Sequence, residues 1–284
     1  MGKVYASSDW HGCGAVGNKI LDFLQPDDTL YFLGDAIDRG WHGAELFKRL
    51  INDPRVIYIK GNHEQFMADA LPFLWNDPER DMYWIARNGN KIIDLWEING
   101  GLRTWYGIQD ESTEQLMKYH QIINDMPYEK VYLSPNGHKV ILEHAGYTPY
   151  GIPHYSHDPL WDRKHFLDAW NPYEDMMPLE TKKKRENTYL VHGHTPMQFL
   201  VFKYGYKDEP PMTKEWAIAK EGWLYGSDEE SRAAFDPYVL RYCGGHKFDI
   251  DLCTIVHNKA ALLDLDTFEV TYFQEDESKQ EWEE

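Results

Sequence analysis

The chain has 284 residues, enough for one large domain or two ordinary ones. Its 42% hydrophobic share can build a substantial core, and many of the aromatic residues (15%) will serve that core. A formal net charge of −18 argues against binding to duplex nucleic acid or to an anionic membrane, both of which call for an excess of Lys and Arg. The same charge leaves room for a phosphorylated substrate, because a pair of divalent cations can supply the positive charge locally.

Lys3–Ser7, Thr29–Leu33 and Val56–Ile59 are short β-rich runs, each leading directly into a glycine-containing motif. Between them, Gly14–Leu24 and Ala44–Ile51 repeat apolar residues at helical spacing. Strand, motif loop, helix, strand is the pattern of an α/β layered domain, in which ligand sites gather at the carboxyl ends of strands. Residues 64–126 read as mostly helical, with a capping box at Ser112-Thr113-Glu114-Gln115. Val131–Leu133 and Val140–Leu142 flank Asn136-Gly137, a hairpin signal whose second arm runs into Glu143-His144-Ala145-Gly146. Thr188–Val191 predicts a strand ending at His192-Gly193-His194. Residues 199–241 are less regular and read as an elaboration over the site or beside it. Ala260–Leu265 and Glu269–Phe273 form a closing hairpin, and 276–284 an acidic tail. With no repeat and no linker-like stretch, a single domain over 1–275 is expected.

Cys13, Cys243 and Cys253 form no CxxC pair and read as reduced thiols. The first motif follows the N-terminus so closely that no signal peptide is expected, and no apolar run reaches the ~18 residues of a membrane span. A soluble, cytoplasmic protein is the expectation.

Four segments carry the chemistry: Asp9-Trp10-His11-Gly12, Gly34-Asp35-Ala36-Ile37-Asp38-Arg39-Gly40, Gly61-Asn62-His63-Glu64 and Gly193-His194-Thr195-Pro196. A divalent metal acting on a phosphoester takes hard oxygen ligands, with imidazole admitted for Mn, Fe or Zn. Two such metals share at least one bridging ligand, usually a carboxylate. Asp9 and His11, at i and i+2, share a face if the chain there is extended. Asp35 follows Gly34, which permits a tight turn, and Asn62 offers a neutral oxygen at the end of a third strand.

These segments resemble the calcineurin-like metallophosphoesterases and, within them, the phosphoprotein phosphatase family with its bacterial and phage members. The resemblance spans roughly residues 3–200, with a weaker echo in Leu263–Thr267, and Asp38-Arg39-Gly40 is its most specific part. It implies a layered α-β-β-α sandwich with a dinuclear metal site at the strand ends. Asp9, His11 and Asp35 would hold one metal; Asp35 as bridge, Asn62, His144 and His194 the second. The ions would be two divalent cations, Mn²⁺ first, with Fe, Zn or Mg as alternatives. His63 matches the general acid and Asp38 the carboxylate that orients it. Arg39 would grip phosphate, as would Arg163 of Trp161-Asp162-Arg163. Lys60 stands where the family often has a phosphate-binding arginine and would bind phosphate without its bidentate geometry, and Ser8 stands where Gly precedes the first Asp.

The implied reaction is direct hydrolysis of a phosphoester, with a phosphorylated protein or a small phosphoester as substrate. A serine/threonine-type phosphatase or broad phosphomonoesterase is the first reading, and a dinucleoside polyphosphate or nucleotide hydrolase the second. In that second case, aromatics around 147–173 or 204–225 would stack on a base. A non-catalytic scaffold is the remote third. His42, His120, His138, His154, His157, His165, His246 and His257 are expected to be surface or structural, His192 to point away from the site, and Cys13 to be a packing residue.

Overall fold

The computed structural model describes residues 2–77, 79–146, 158–163, 186–204 and 236–275. Two five-stranded sheets organise it. The first contains β1 (Val4–Ser7), β2 (Thr29–Phe32), β3 (Val56–Tyr58), β9 (Lys259–Asp264) and β10 (Val270–Gln274), in the order β10-β9-β1-β2-β3. The second contains β4 (Glu129–Leu133), β5 (Lys139–Glu143), β6 (Thr188–His192), β7 (Leu240–Tyr242) and β8 (Lys247–Asp249), in the order β4-β5-β6-β8-β7. In each sheet the strands that precede a motif are parallel: β1 with β2 and β2 with β3 in one, β5 with β6 in the other.

Side chains alternate along these strands with the period of two that pleating imposes. Leu30 and Phe32 of β2 enter the core shared with the helices. Tyr31 and Leu33 face the other way, into a second core where Ala6 and Ile59 meet Val140, Leu142, Val191 and Phe248 of the opposite sheet. The helical layer on the first sheet comprises α1 (Gly14–Phe23), α2 (Gly43–Asn52), α3 (Asn62–Trp75), α4 (Met82–Arg87), α5 (Lys91–Ile98), α6 (Gly101–Tyr106) and α7 (Thr113–Asp125). On the far side of the second sheet, Met197 and Leu200 of α8 (Met197–Tyr204) pack against Leu240 and Tyr242. The layers are therefore α-β-β-α.

Local chemistry sets the element ends as the sequence predicts. Ser112 accepts the backbone N–H of Gln115 and caps α7. The β4–β5 hairpin pairs Glu129 with Glu143, and Gly137 at its turn takes a φ of 83°. The closing hairpin is β9–β10, with Val270 opposite Leu263. β7 and β8 were not anticipated: three-residue strands around Cys243-Gly244-Gly245-His246 are too short to show alternation. Most of the expected elaboration, from 205 to 235, lies outside the described residues, as does the acidic tail.

The inter-sheet geometry brings the ends of β1, β2, β3, β5 and β6 to one edge. Gly34 makes this close approach possible. Its φ is +94°, and a Cβ there would lie 2.5 Å from the backbone of Gly61 and 3.0 Å from Nδ1 of His144. Gly34→Ala is expected to cost at least about 2 kcal/mol from the left-handed backbone and the clash together. A denaturant titration checks this; an unchanged midpoint would show that the motif loops pack less tightly than described.

Candidate metal centre and its catalytic pair

The motif loops carry backbone that most side chains avoid. Asp9, His11, Asp35, Asp38, Arg39 and His194 all have positive φ, between 42° and 69°. Such conformations persist only where the surroundings enforce them, and they cluster at functional sites. They also correct the expectation for the first motif. Asp9 and His11 do not sit on an extended strand, because β1 ends at Ser7 and a left-handed turn follows. The turn is held across to the second motif, with the N–H of Asp9 donating to Gly34 O, that of His11 to Asp35 O and that of Gly12 to Ala36 O. Asn62 likewise begins α3 instead of ending β3.

Asp35 stands at the middle. Its Oδ2 lies 3.5 Å from Nε2 of His144, 3.7 Å from Nε2 of His11 and 3.9 Å from Nε2 of His63. Two groups of potential metal ligands share it: His11, Asp35 and His63 on one side, Asp35, His144 and His194 on the other. Asp9 adjoins the first group, its Oδ1 3.9 Å from His11 Nε2. Asn62 adjoins the second, its Oδ1 2.9 Å from both His144 Nε2 and His194 Nδ1.

The donor chemistry of these groups fits cations. Nδ1 of His11 donates to Ile37 O and Nδ1 of His144 to Leu33 O. Each Nε2 therefore holds a lone pair aimed inward. For His144, that lone pair confronts the oxygens of Asn62 and Asp35, three acceptors facing one another. Asp9 Oδ1 and His194 Nε2 are buried without a hydrogen-bond partner among the described residues. Leaving buried acceptors unsatisfied is costly, and a cation bound among them removes the cost.

Protonation follows the same geometry. Burial pulls the pKa values of His11, His144 and His194 down, giving the neutral imidazoles that ligate metals. Burial pushes Asp9 up, helped by the nearby carboxylates of Asp251 and Asp35. At Asp35 burial also acts upward, but the surrounding His144, His63, His11 and His194 outweigh it and hold the carboxyl below the usual range.

Beside the centre, Nδ1 of His63 donates to Asp38 Oδ2 at 2.7 Å. Burial alone would depress His63, but Asp35 and then Asp38 reverse this and raise it. Asp38 is itself fixed by Trp96 Nε1, 3.0 and 3.1 Å from its two oxygens, and by the Thr104 hydroxyl at 2.7 Å. Glu64, fully buried, accepts the N–H groups of Asp35, Ala36 and Gly61 and the Tyr58 hydroxyl. Burial and Asp35 push its pKa up to about 7. It ties the second and third motifs together.

The expected phosphate binders fare differently. Arg39 is exposed, its guanidinium 3.0 Å from Nε2 of His11 and 3.1 Å from Nε2 of His63. Nε of Arg163 donates to the Thr195 hydroxyl at 3.0 Å, beside His194. Lys60 is not brought to this group. It is buried, with Nζ 3.3 Å from Gln65 Oε1 and 3.4 Å from the Tyr128 hydroxyl.

The histidines expected to be bystanders do other work. Nε2 of His192 lies 2.7 Å from the Tyr242 hydroxyl, His138 stacks on Phe268 and His42 pairs with Glu45 at the surface. His120 is half-buried with its ring perpendicular to that of Trp75, Nδ1 of His246 lies 3.0 Å from Thr188 O and His257 is buried; His154, His157 and His165 lie outside the described residues. Cys13 is buried, and burial raises its thiol to about 12, which suits packing and not nucleophilic attack.

Sequence reasoning missed the roles of Glu64, Trp96, Thr104 and Ser8. Glu64 carried a signal, since a glutamate at the third position of a helix folds back onto the preceding N–H groups. Trp96 and Thr104 reach Asp38 from 58 and 66 residues away, which no local pattern announces. Ser8, the departure from the family's glycine, donates its hydroxyl to Asp9 Oδ2.

Known proteins resemble this chain in sequence and in fold. The calcineurin-like phosphoesterase profile matches residues 2–247, and the chain belongs to that family. It is a hydrolase of phosphoesters. Serine/threonine-protein phosphatase 2 of Salmonella typhimurium is 28% identical over 178 residues, covering 58% of this chain and 70% of that protein. Its Escherichia coli namesake is 29% identical over 102 residues, covering 36% and 40%. Among solved structures, a putative diadenosine tetraphosphatase superposes with a TM-score of 0.50 at 13% identity, over 95% of this chain and 92% of that one, a likeness of fold.

Because Asp35 belongs to both ligand groups, Asp35→Asn is expected to lower the occupancy of both metals in step. Metal analysis after dialysis against Mn²⁺ checks it; loss of one ion with retention of the other would contradict a bridge.

Proposed function

We propose that this chain hydrolyses phosphate monoesters with two divalent cations, as a serine/threonine-type protein phosphatase or a broad phosphomonoesterase. The observation that carries the proposal is the His63–Asp38 pair beside buried acceptors that converge on Asp35. Asp9, His11 and Asp35 would hold one cation in this reading; Asp35, Asn62, His144 and His194 would hold the other. When bound, such cations neutralise the phosphoryl group and make a water acidic enough to attack at neutral pH.

The chain's own residues then divide the work. Asp38 fixes the His63 ring through Nδ1, so Nε2–H is the proton offered to the departing oxygen. Trp96 and Thr104 keep Asp38 aligned by donating to it. The Arg39 guanidinium can donate to His63 Nε2 only while that nitrogen is unprotonated. Turning it onto phosphate oxygens frees Nε2 to carry the acid proton and lets the guanidinium bind bidentately. Arg163, anchored at Thr195 beside His194, is the second phosphate arginine. Lys60, engaged with Gln65 and Tyr128, stays out of that set.

Manganese is the metal of first choice for a set that mixes carboxylates, an amide oxygen and imidazoles. Three cysteines that form no disulfide suit the reducing cytoplasm. Assays of aryl phosphates and phosphopeptides with Mn²⁺, Zn²⁺, Fe²⁺ and Mg²⁺ test the function. Protein that binds two metals yet cleaves none of these esters would overturn it.

The role of His63 has its own signature. His63→Asn should retain metal and lose turnover by about 10²-fold or more on alkyl phosphates, with a much smaller loss on nitrophenyl phosphate, whose leaving oxygen needs little protonation. Equal losses on both esters would remove the acid role.

A further inference from the structure

A cleft of about 480 Å³ opens beside the catalytic pair, between α3 and α5. Asn62 and Phe66 line it on one side, Ile92 and Leu95 on the other, with Trp161 at the end towards the centre. Its volume falls within the roughly 300–1,000 Å³ of small-molecule sites.

Three features connect the cleft to the reaction. The first is continuity: Phe66, one turn along α3 from His63, packs edge-on against the His63 ring with centroids 5.6 Å apart. The Phe66 and Trp161 centroids are 5.4 Å apart, and Trp161 stands perpendicular to His194 at 5.5 Å. The second is direction. The group His63 protonates is the leaving oxygen, so the carbon skeleton borne by that oxygen departs on His63's side, where the cleft lies. The third is an apolar wall that folding does not explain. α5 buries Ile93 and Trp96 in the core, yet it turns Ile92 and Leu95 outward at 41% and 45% exposure. Large apolar side chains grouped on an open surface mark a contact site.

We propose that this cleft is the leaving-group subsite, and that it selects phosphoesters whose leaving alcohol carries an aromatic ring. The rings of Phe66 and Trp161, tilted by 57° to each other, offer both an edge and a face to a third ring. Ile92 and Leu95 close the opposite side and act as specificity-determining residues. The inference rests on the phosphoesterase reading above, since only that reaction gives the cleft a leaving group.

The test uses two alkyl esters of similar leaving-group acidity, 2-phenylethyl phosphate and ethyl phosphate, with the Mn²⁺-loaded full chain and its Leu95→Asp and Ile92→Asp variants. The ratio of kcat/KM for the phenylethyl ester to that for the ethyl ester is expected to fall about tenfold in either variant. Calorimetric binding of benzylphosphonate and methylphosphonate to the same proteins reads the subsite without turnover, and the preference for the ring should fall in parallel. An unchanged ratio in both variants would overturn the subsite. A larger loss for diadenosine tetraphosphate than for the phenylethyl ester would overturn it in favour of a nucleobase site. Ring-selective binding that both variants lose, with no turnover of either ester by the wild type, would instead remove the phosphoesterase reading.

Discussion

The confrontation of buried acceptors around Asp35 is the constraint on which the rest of the structure depends. Its Oδ2 faces the Nε2 lone pairs of His11 and His144 within 4 Å, and the oxygens of Asp9 and Asn62 close the circle. In a low-dielectric interior such an arrangement repels itself unless positive charge sits among its members. Divalent cations are the economical remedy, because one ion satisfies several lone pairs at once. Features that would be defects elsewhere then become consistent: the neutral buried histidines, the orphaned oxygen of Asp9 and a raised Asp9 beside a lowered Asp35.

Holding the acceptors in place demands backbone the chain would not otherwise adopt. Six site residues lie in the left-handed region, each costing on the order of 1–3 kcal/mol unless local hydrogen bonds offset it. Interlocking loops provide that offset. Glu64 gathers three N–H groups of the second and third motifs, while the N–H of His194 and the hydroxyl of Ser8 both reach Asp9 Oδ2. Gly193 permits the last contact, since a Cβ there would fall 2.0 Å from Asp9 Oδ2. The helical layer adds the His63–Asp38 pair, with Trp96 and Thr104 gripping Asp38 and the Nε2 of His63 left facing the Arg39 guanidinium. The site is thus a joint product of both sheets and the helices above them.

Much of this was legible in the chain because the chemistry is carried by short motifs at strand ends. Asp9, His11, Asp35, Asn62, His144 and His194 do converge, and the α-β-β-α layers follow from strand–motif–helix succession. What the sequence could not show is long-range or conformational. The left-handed turn after Ser7 hid behind a strand-like spacing of Asp9 and His11. Trp96 and Thr104 owe their roles to helix packing. Lys60 looked like a phosphate ligand from its neighbours in sequence, yet Gln65 and Tyr128 hold its ammonium. The cleft beside Phe66 depends on α5 lying against α3, a matter of tertiary contact.

The most direct measurement is anomalous diffraction from crystals grown with Mn²⁺. Two peaks about 3.5–4 Å apart are expected, both in contact with the Asp35 carboxylate and flanked by His11 on one side and by His144 and His194 on the other. A single peak, or peaks that leave Asp35 untouched, would contradict it.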